Sequence, residues 1–213
     1  LYASPVEWWY AAFGAADAQA DARETGFRTA FHAEDYFLCL LETGLTPSLP
    51  GPSGPLQGAY RIGCWFDPQD KQRFASESIK RDDMGFYLSF CQCVFRENGD
   101  PEDTQGLGLF SRYGWADSDV NELADFWSAG AQYQGILPHR DEDVLALGLA
   151  QGIFSNRSEI PEDAETALEM YYNLKVSGWM HLSPSVQYIA NPAGSENDLQ
   201  DAVVLGMRMQ AAF

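Results

Sequence analysis

Paired acidic residues are the first candidates for chemistry in this chain. They occur in two short runs, HRDEDV at 139–144 and ENGDPED at 97–103. Two carboxylates can serve as the acid and base of a glycosidase, or as oxygen ligands of a calcium ion. A glycosidase, however, needs two carboxylates held at a fixed separation across a cleft. We therefore interpret both runs as solvated turns.

Histidine and cysteine are the next residue types that could hold a metal. The three histidines are scattered, and the spacing of the four cysteines matches no zinc pattern. The chain also contains no glycine-rich phosphate loop and no nucleophile motif. We expect no metal, no cofactor and no enzymatic activity. These residues are His32, His139 and His181, and Cys39, Cys64, Cys91 and Cys93.

Cys91 and Cys93 are two residues apart in SFCQCVF and so face the same side of a strand. We interpret them as small residues that fill strand positions. A disulfide between neighbouring strands is the alternative, but the sequence does not pair the thiols.

Charged side chains inside alternating stretches are more informative. Six of them lie in stretches where apolar residues recur at every second position, and each has the parity opposite to the apolar one. Alternation with period two is typical of a strand with one apolar and one polar face. The six are Glu42, Arg61, Arg112, Glu169, Lys175 and Arg208.

The elements that would position these charges are ten strands. The chain has 213 residues, 14% aromatic residues and 19 glycines, a composition that fits an all-β protein. Its net charge of −18 argues against a nucleic-acid partner, which needs a basic surface. The strands are predicted at about 7–15, 35–46, 58–67, 84–96, 104–116, 124–136, 144–155, 166–176, 180–190 and 203–213.

Two architectures suit alternating strands. A soluble sandwich or small barrel buries the apolar face, whereas a membrane barrel turns it to lipid and keeps a polar lumen. Three features favour the membrane barrel. The polar parity carries a mixture of Gly, Ser, Gln, Asn, Arg and Tyr, Trp115 and Trp127 lie at strand ends on the apolar parity, and the chain stops on Phe213.

Several segments carry a family resemblance. They are DPEDTQGLGLFSRYGWAD, FWSAGAQYQGILPHRDEDVLALGLAQG, LSPSVQYIANPAG and the terminal DAVVLGMRMQAAF, with GFRTAFHAED and GAYRIGCWFDPQD upstream. Together they resemble the C-terminal region of the carbohydrate-selective porin family, OprB. The resemblance implies a sixteen-stranded transmembrane antiparallel β-barrel in the bacterial outer membrane, through which small sugars diffuse passively in a water-filled lumen.

The resemblance also implies partners and a boundary. Phe213 resembles the terminal signal that the outer-membrane assembly machinery recognises, and the barrel would contact outer-membrane lipid and lipopolysaccharide. Family members are much longer than 213 residues. Residues 1–213 are therefore expected to be one barrel domain that forms the C-terminal part of a longer barrel, or that other polypeptide completes.

In such barrels the termini and the short turns face the periplasm. The periplasmic turns would then be about 47–57, 97–103, 137–143 and 177–179. The extracellular loops, which we expect to be acidic and mostly solvated, would be about 16–34, 68–83, 117–123, 156–165 and 191–202.

Two hypotheses other than a porin are a non-transporting barrel that anchors a larger envelope assembly and a soluble acidic β protein that binds glycans.

The pore-lining candidates have the lumen parity and side chains that can hydrogen-bond or stack against sugars. The candidates are Glu42, Arg61, Trp65, Phe110, Arg112, Gln132, Glu169, Tyr171, Asn173, Lys175, Gln187 and Arg208.

Overall fold

A computed structural model of the protein describes residues 1–18, 36–100 and 103–212. Ten long strands dominate these residues. They are β2 (Trp9–Asp17), β3 (Phe37–Leu45), β5 (Leu56–Asp67), β8 (Asp83–Arg96), β9 (Gly106–Ala116), β10 (Leu123–Gln134), β11 (Val144–Phe154), β12 (Ala164–Ser177), β13 (Met180–Ala190) and β14 (Ala202–Ala211). Each predicted strand overlaps one of them, so the all-β prediction is confirmed.

Shorter elements were not predicted. They are the strands β1 (Tyr2–Val6), β4 (Ser48–Leu49), β6 (Lys71–Gln72) and β7 (Ile79–Lys80), and a 3-10 helix at Pro192–Asp198. Alternation cannot reveal a two-residue strand, and the β1 segment YASPV contains a proline and does not alternate. In the described residues, no helix is long and apolar enough to cross a bilayer.

The strands form one antiparallel series in chain order. The order is β1-β2-β3-β5-β8-β9-β10-β11-β12-β13-β14, with β4 beside β5 and with β6 and β7 as a separate hairpin. Strands that each pair with the next along the chain are the arrangement of an up-and-down barrel. Within the described residues, β1 and β14 occupy the two ends of the series.

Cross-strand register divides the sheet into two faces, because directly opposite residues in an antiparallel pair point to the same side. One row of opposite residues carries mostly bulky apolar and aromatic side chains and defines the apolar face: Thr43, Ile62, Leu88, Tyr113 and Trp127. The neighbouring row defines the polar face: Gly44, Arg61, Ser89, Arg112 and Ser128.

The apolar face is exposed rather than buried in a core. Leu41 is 53% exposed, Leu147 is 52% exposed and Leu205 is 80% exposed. Among the described residues, the buried apolar ones are two alanines, Ala124 and Ala146. A continuous apolar surface over so many strands does not suit water, but it is the surface that a membrane barrel presents to lipid.

Aromatic residues form bands near both ends of the apolar face. At one end the Phe86 and Trp115 rings stack with centroids 5.7 Å apart, and Trp127 Nε1 donates to Gln151 Oε1 at 3.0 Å. At the other end Tyr60 and Phe90 lie 5.2 Å apart. Rings with one apolar and one polar side suit the boundary between lipid and water. The predicted placement of Trp115 and Trp127 on the apolar face is therefore confirmed by the register.

The connections at the two ends of the sheet fall close to the predicted positions. Residues 7–8, 46–55, 97–105, 135–143 and 178–179 connect strands at one end, and 68–82, 117–122, 155–163 and 191–201 at the other. Most of the predicted loop 16–34 and the terminal Phe213 lie outside the described residues. Which end faces the periplasm stays a prediction.

Candidate pore lining

All twelve predicted lining residues lie on the polar face. Their rows follow from pairs such as Glu42 with Gly63, Arg61 with Ser89, and Glu169 with Gln187. The register also brings most of them into two groups on different strands. The first group lies on β3 to β10 and the second on β12 to β14. That this face lines a pore stays a prediction.

The first group is centred on two arginines. Arg61 and Arg112 are both directly opposite Ser89, one on each neighbouring strand. Strands lie about 4.8 Å apart, so the two backbones are roughly 10 Å from each other. The Arg112 side chain is exposed and makes no hydrogen bond or ion pair within the described part of the chain. Its five donors are available to a solute.

Glu42, by contrast, is occupied by neighbours. Its Oε1 accepts a 2.6 Å hydrogen bond from the Tyr10 hydroxyl, and its Oε2 accepts one of 2.5 Å from Tyr87. Arg61 Nε in turn donates to the Tyr10 hydroxyl at 3.1 Å. The chain Arg61–Tyr10–Glu42–Tyr87 therefore fixes a carboxylate and one guanidinium against the wall.

Four members of this group were not predicted from the sequence. Tyr10 completes the hydrogen-bond chain, and Tyr87, Ser89 and Phe126 line a cavity of about 280 Å³ with Glu42, Arg61 and Arg112. All four have the polar-face parity, which was the available signal. A second cavity, of about 540 Å³, adjoins Arg112 and is lined by Cys91, Phe110 and Gln132.

Several rings of the polar face lie over glycines of the adjacent strand. A Cβ on Gly130 would clash with the Phe110 ring, and one on Gly85 would clash with Trp65. The Lys71 ammonium lies 5.6 Å from the Trp65 ring centroid. Trp65 is thus covered by a loop lysine, whereas Phe110 still borders an open cavity.

The second group borders a mostly polar cavity of about 340 Å³. Its lining includes five of the predicted residues, whereas Lys175 lies outside it and pairs with Glu142. His181 Nδ1 and Asn173 Oδ1 are 3.0 Å apart. The five are Glu169, Tyr171, Asn173, Gln187 and Arg208.

The acidic run HRDEDV is not a solvated turn throughout, which corrects that interpretation. The Asp143 side chain is almost fully buried. It accepts hydrogen bonds from Arg140 Nε at 2.6 Å, from the Tyr172 hydroxyl at 2.7 Å and from the Lys175 amide at 2.8 Å. These bonds outweigh the effect of burial and lower the pKa of Asp143. Asp143 therefore braces the turn against β12.

The described residues of the run ENGDPED lie between β8 and β9 and form hydrogen bonds with one another. Asp103 accepts hydrogen bonds from Asn98 and from the Gln105 amide. In the part of the chain that the structure describes, no three His, Cys, Asp or Glu side chains group as metal ligands.

The loops at the predicted extracellular end are ion-paired more than we expected. Lys71 lies 2.9 Å from Asp67 and 2.8 Å from the buried Asp83. Burial lowers the pKa of Lys71, but its hydrogen bonds to Asp83 and Asp67 more than offset this, and the pKa is raised. The expectation of mostly solvated acids is wrong for these carboxylates.

Further ion pairs connect neighbouring loops. Asp119 pairs with both Arg73 and Arg157, and Lys80 pairs with Asp117. These pairs join the β6–β7 hairpin, the 117–122 loop and the 155–163 loop. Because three loops share these charges, the ion pairs fix the shape of this rim of the sheet.

The fold and the two faces define an outer-membrane β-barrel protein. The family model for "Carbohydrate-selective porin, OprB family" matches residues 2–213. The chain belongs to this family, and its location is the bacterial outer membrane.

Individual relatives agree with this assignment. Porin B of Pseudomonas aeruginosa is 25% identical over an alignment 241 positions long, which spans 96% of this chain and 52% of Porin B. The structure of Pseudomonas putida OprB at high pH matches with a TM-score of 0.85 and 19% identity, covering all of this chain and 57% of that one. Its low-pH structure matches with a TM-score of 0.70, 21% identity and 53% of that chain covered. This chain spans about half the length of these relatives.

Proposed function

We propose that the protein is a porin through which small carbohydrates diffuse passively, in a water-filled lumen lined by the polar face. The observation that carries the proposal is the cavity around Arg61, Ser89 and Arg112. Guanidinium and hydroxyl groups there can bond sugar hydroxyls, and the rings of Tyr87 and Phe126 offer apolar surfaces to a pyranose. Family membership supports the same substrate class.

Passive diffusion involves no chemical step and no cofactor. The arginines are suited to select rather than to react, because a guanidinium is permanently charged and presents a planar fork of donors. Among the described residues Arg112 has no acidic partner, and the carboxylate of Glu42 that faces the same cavity is held by two phenols. The lumen should pass neutral sugars and disfavour small cations.

The other partners are proposed from the two faces and from the family resemblance at Phe213. Outer-membrane lipid and lipopolysaccharide would contact the apolar face, and the assembly machinery would recognise Phe213. An anchoring role in a larger envelope complex is the competing function.

The test is planar-bilayer conductance under a salt gradient, with liposome swelling in glucose, on the wild-type protein and Arg112→Ala. We expect swelling by the wild type, and greater cation permeability in the variant because a lumen charge is lost. Arg81→Gln is the control, since Arg81 lies in the 68–82 loop, is 76% exposed and is already paired with Asp70. A wild-type protein that neither conducts nor admits glucose would favour the anchoring function.

A further inference from the structure

The polar cavity on β12, β13 and β14 is separate from the cavity around Arg61 and Arg112. Arg112 on β9 is opposite Ser128 on β10, Ser128 is opposite Ala150 on β11, and Ala150 is opposite Ala167 on β12. Three strand spacings, about 14 Å, therefore lie between Arg112 and β12. In this stretch β11 contributes small residues to the polar face: Ala146, Gly148, Ala150 and Gly152. The two cavities are distinct places along one surface.

Two opposite charges face this second cavity, and neither has a partner among the described residues. Neither the Glu169 carboxylate nor the Arg208 guanidinium makes a hydrogen bond or ion pair within the described residues. Glu169 is opposite Gln187, which is opposite Val204 on β14, so Glu169 and Val204 lie in one row. Arg208 is four residues further along β14. The two charges are therefore offset by four residues along the strands and by two strands across. That places their backbones roughly 16 Å apart. Neither charge is therefore used to brace the wall, unlike Glu42.

The groups between these two charges are also polar. Tyr171 is opposite Ser185, and Glu169 is opposite Gln187. The carboxylate can accept hydrogen bonds from adjacent hydroxyls of a sugar, and the guanidinium can donate to its oxygens. The amide of Gln187 and the hydroxyl of Ser185 can do both. No single charge dominates, so the cavity suits a neutral polyhydroxylated solute.

We propose that this cavity is a second sugar subsite, which holds a neutral pyranose between Glu169 and Arg208. The inference rests on the proposed porin function and adds a second site at which the sugar binds during its passage. Arg208 lies three residues from the end of β14, whereas Arg112 lies six residues from the start of β9, so the Arg208 side of this cavity is the nearer to the end that we predict to be periplasmic. A solute would pass from the arginine site, over the small residues of β11, to this subsite.

The test is sugar-dependent current noise of the native outer-membrane protein in planar bilayers, with glucose added to one side at a time. We expect Glu169→Gln and Arg208→Gln each to weaken glucose binding from the predicted periplasmic side by about five-fold or more, since bonds to charged groups are among the stronger ones. Arg81→Gln, which removes an exposed charge on the 68–82 loop outside the cavity, should stay within about two-fold of the wild type.

Correct assembly of each variant is checked by its heat-dependent gel mobility. If Glu169→Gln and Arg208→Gln bind glucose as tightly as the wild type, while Arg112→Gln binds it more weakly, the subsite is overturned and the porin function stands. A wild-type protein that admits and binds no sugar would overturn both.

Discussion

The Tyr87 hydroxyl donates a 2.5 Å hydrogen bond to Oε2 of Glu42, across the intervening strand β5. Gly63 lies between them in the same row, and its lack of a side chain leaves room for the Tyr87 ring to cross. With Tyr10 bound to the other oxygen, the carboxylate has a donor on each side. This relationship distinguishes Glu42 from a freely solvated lumen acid.

Tyr87→Phe should make the pore more permeable to cations. The substitution removes one donor and leaves Oε2 of Glu42 open to the solvent, so the carboxylate interacts more strongly with passing cations. We expect the cation-to-anion permeability ratio to rise by about two-fold, equivalent to a few tenths of a kcal/mol. The measurement is the reversal potential in a salt gradient.

Tyr60→Phe is the matched control for this change. Its hydroxyl donates to Gln92 on the apolar face, so its loss leaves the lumen charges unchanged. An equal shift in both variants, or none in Tyr87→Phe, would show that the hydroxyl of Tyr87 has no specific effect on Glu42.

Gly63→Val should reproduce the effect of Tyr87→Phe. A Cβ at Gly63 would clash with the Tyr87 ring, so the ring must turn away from Glu42. We expect the same direction of shift in reversal potential, with a loss of stability of about 1–3 kcal/mol from overpacking. Gly114→Ala in the same row is the control, because its Cβ would be 3.9 Å from the nearest atom. If Gly63→Val keeps wild-type selectivity, the ring does not control the carboxylate.

Strand parity was enough to predict which face each lining candidate occupies, since the period of two is set by the backbone. It could not predict which charges would be partnered. Glu42 and Glu169 look alike in sequence, yet the first is bound by Tyr10 and Tyr87 while the second has no partner in the described residues. The difference depends on register between strands distant in sequence, and a single strand does not encode that register.

The loops were predicted less well for a related reason. Acidic composition indicated solvation, but Lys71 and Asp83 are 12 residues apart and meet because the β6–β7 hairpin folds back. Trp65 was chosen as a sugar-stacking ring on parity alone, and the same hairpin places Lys71 over it. Such tertiary contacts leave no local pattern in the sequence.

Lys71→Gln should loosen the β6–β7 hairpin. It removes the cation between Asp67 and Asp83 and leaves the buried Asp83 with Asn121, whose amide donates at 3.0 Å. We expect cleavage by chymotrypsin at Phe74 to become about five-fold faster or more, as a loss of 1 kcal/mol in local stability predicts. The assay uses purified protein in detergent and follows fragments over time.

Arg81→Gln is the control for the hairpin, because Arg81 is 76% exposed and its pair with Asp70 should contribute little. Equal cleavage rates for Lys71→Gln and the wild type would mean that the Lys71 pairs do not hold the hairpin.

Phe213→Ser should reduce assembly into the outer membrane. The prediction rests on the sequence, where the aromatic Phe213 follows an alternating strand on the apolar parity. We expect at least about a two-fold decrease in the heat-modifiable form in outer-membrane fractions, because an aromatic residue at the boundary contributes to insertion. The control is Gln210→Ser, on the polar parity of the same strand. Undiminished insertion of Phe213→Ser would contradict the role of this residue.

Asp143→Asn should destabilise the turn between β10 and β11 near neutral pH but not in acid. Hydrogen bonds from Arg140, Tyr172 and the Lys175 amide hold the pKa of Asp143 below its ordinary value of about 3.9. A lowered folded-state pKa adds stability above the unfolded pKa, and this stability is lost as the pH falls through the folded value. We expect the variant to lose about 2 kcal/mol at pH 7, with the difference from the wild type shrinking below about pH 4. Urea unfolding in detergent at pH 7 and at about pH 3, read as the fraction of heat-modifiable protein, measures this difference in stability.

Asp141→Asn is the control, since Asp141 is exposed in the same turn. A difference between Asp143→Asn and the wild type that is the same at both pH values would show that the ionised carboxylate is not what stabilises the turn.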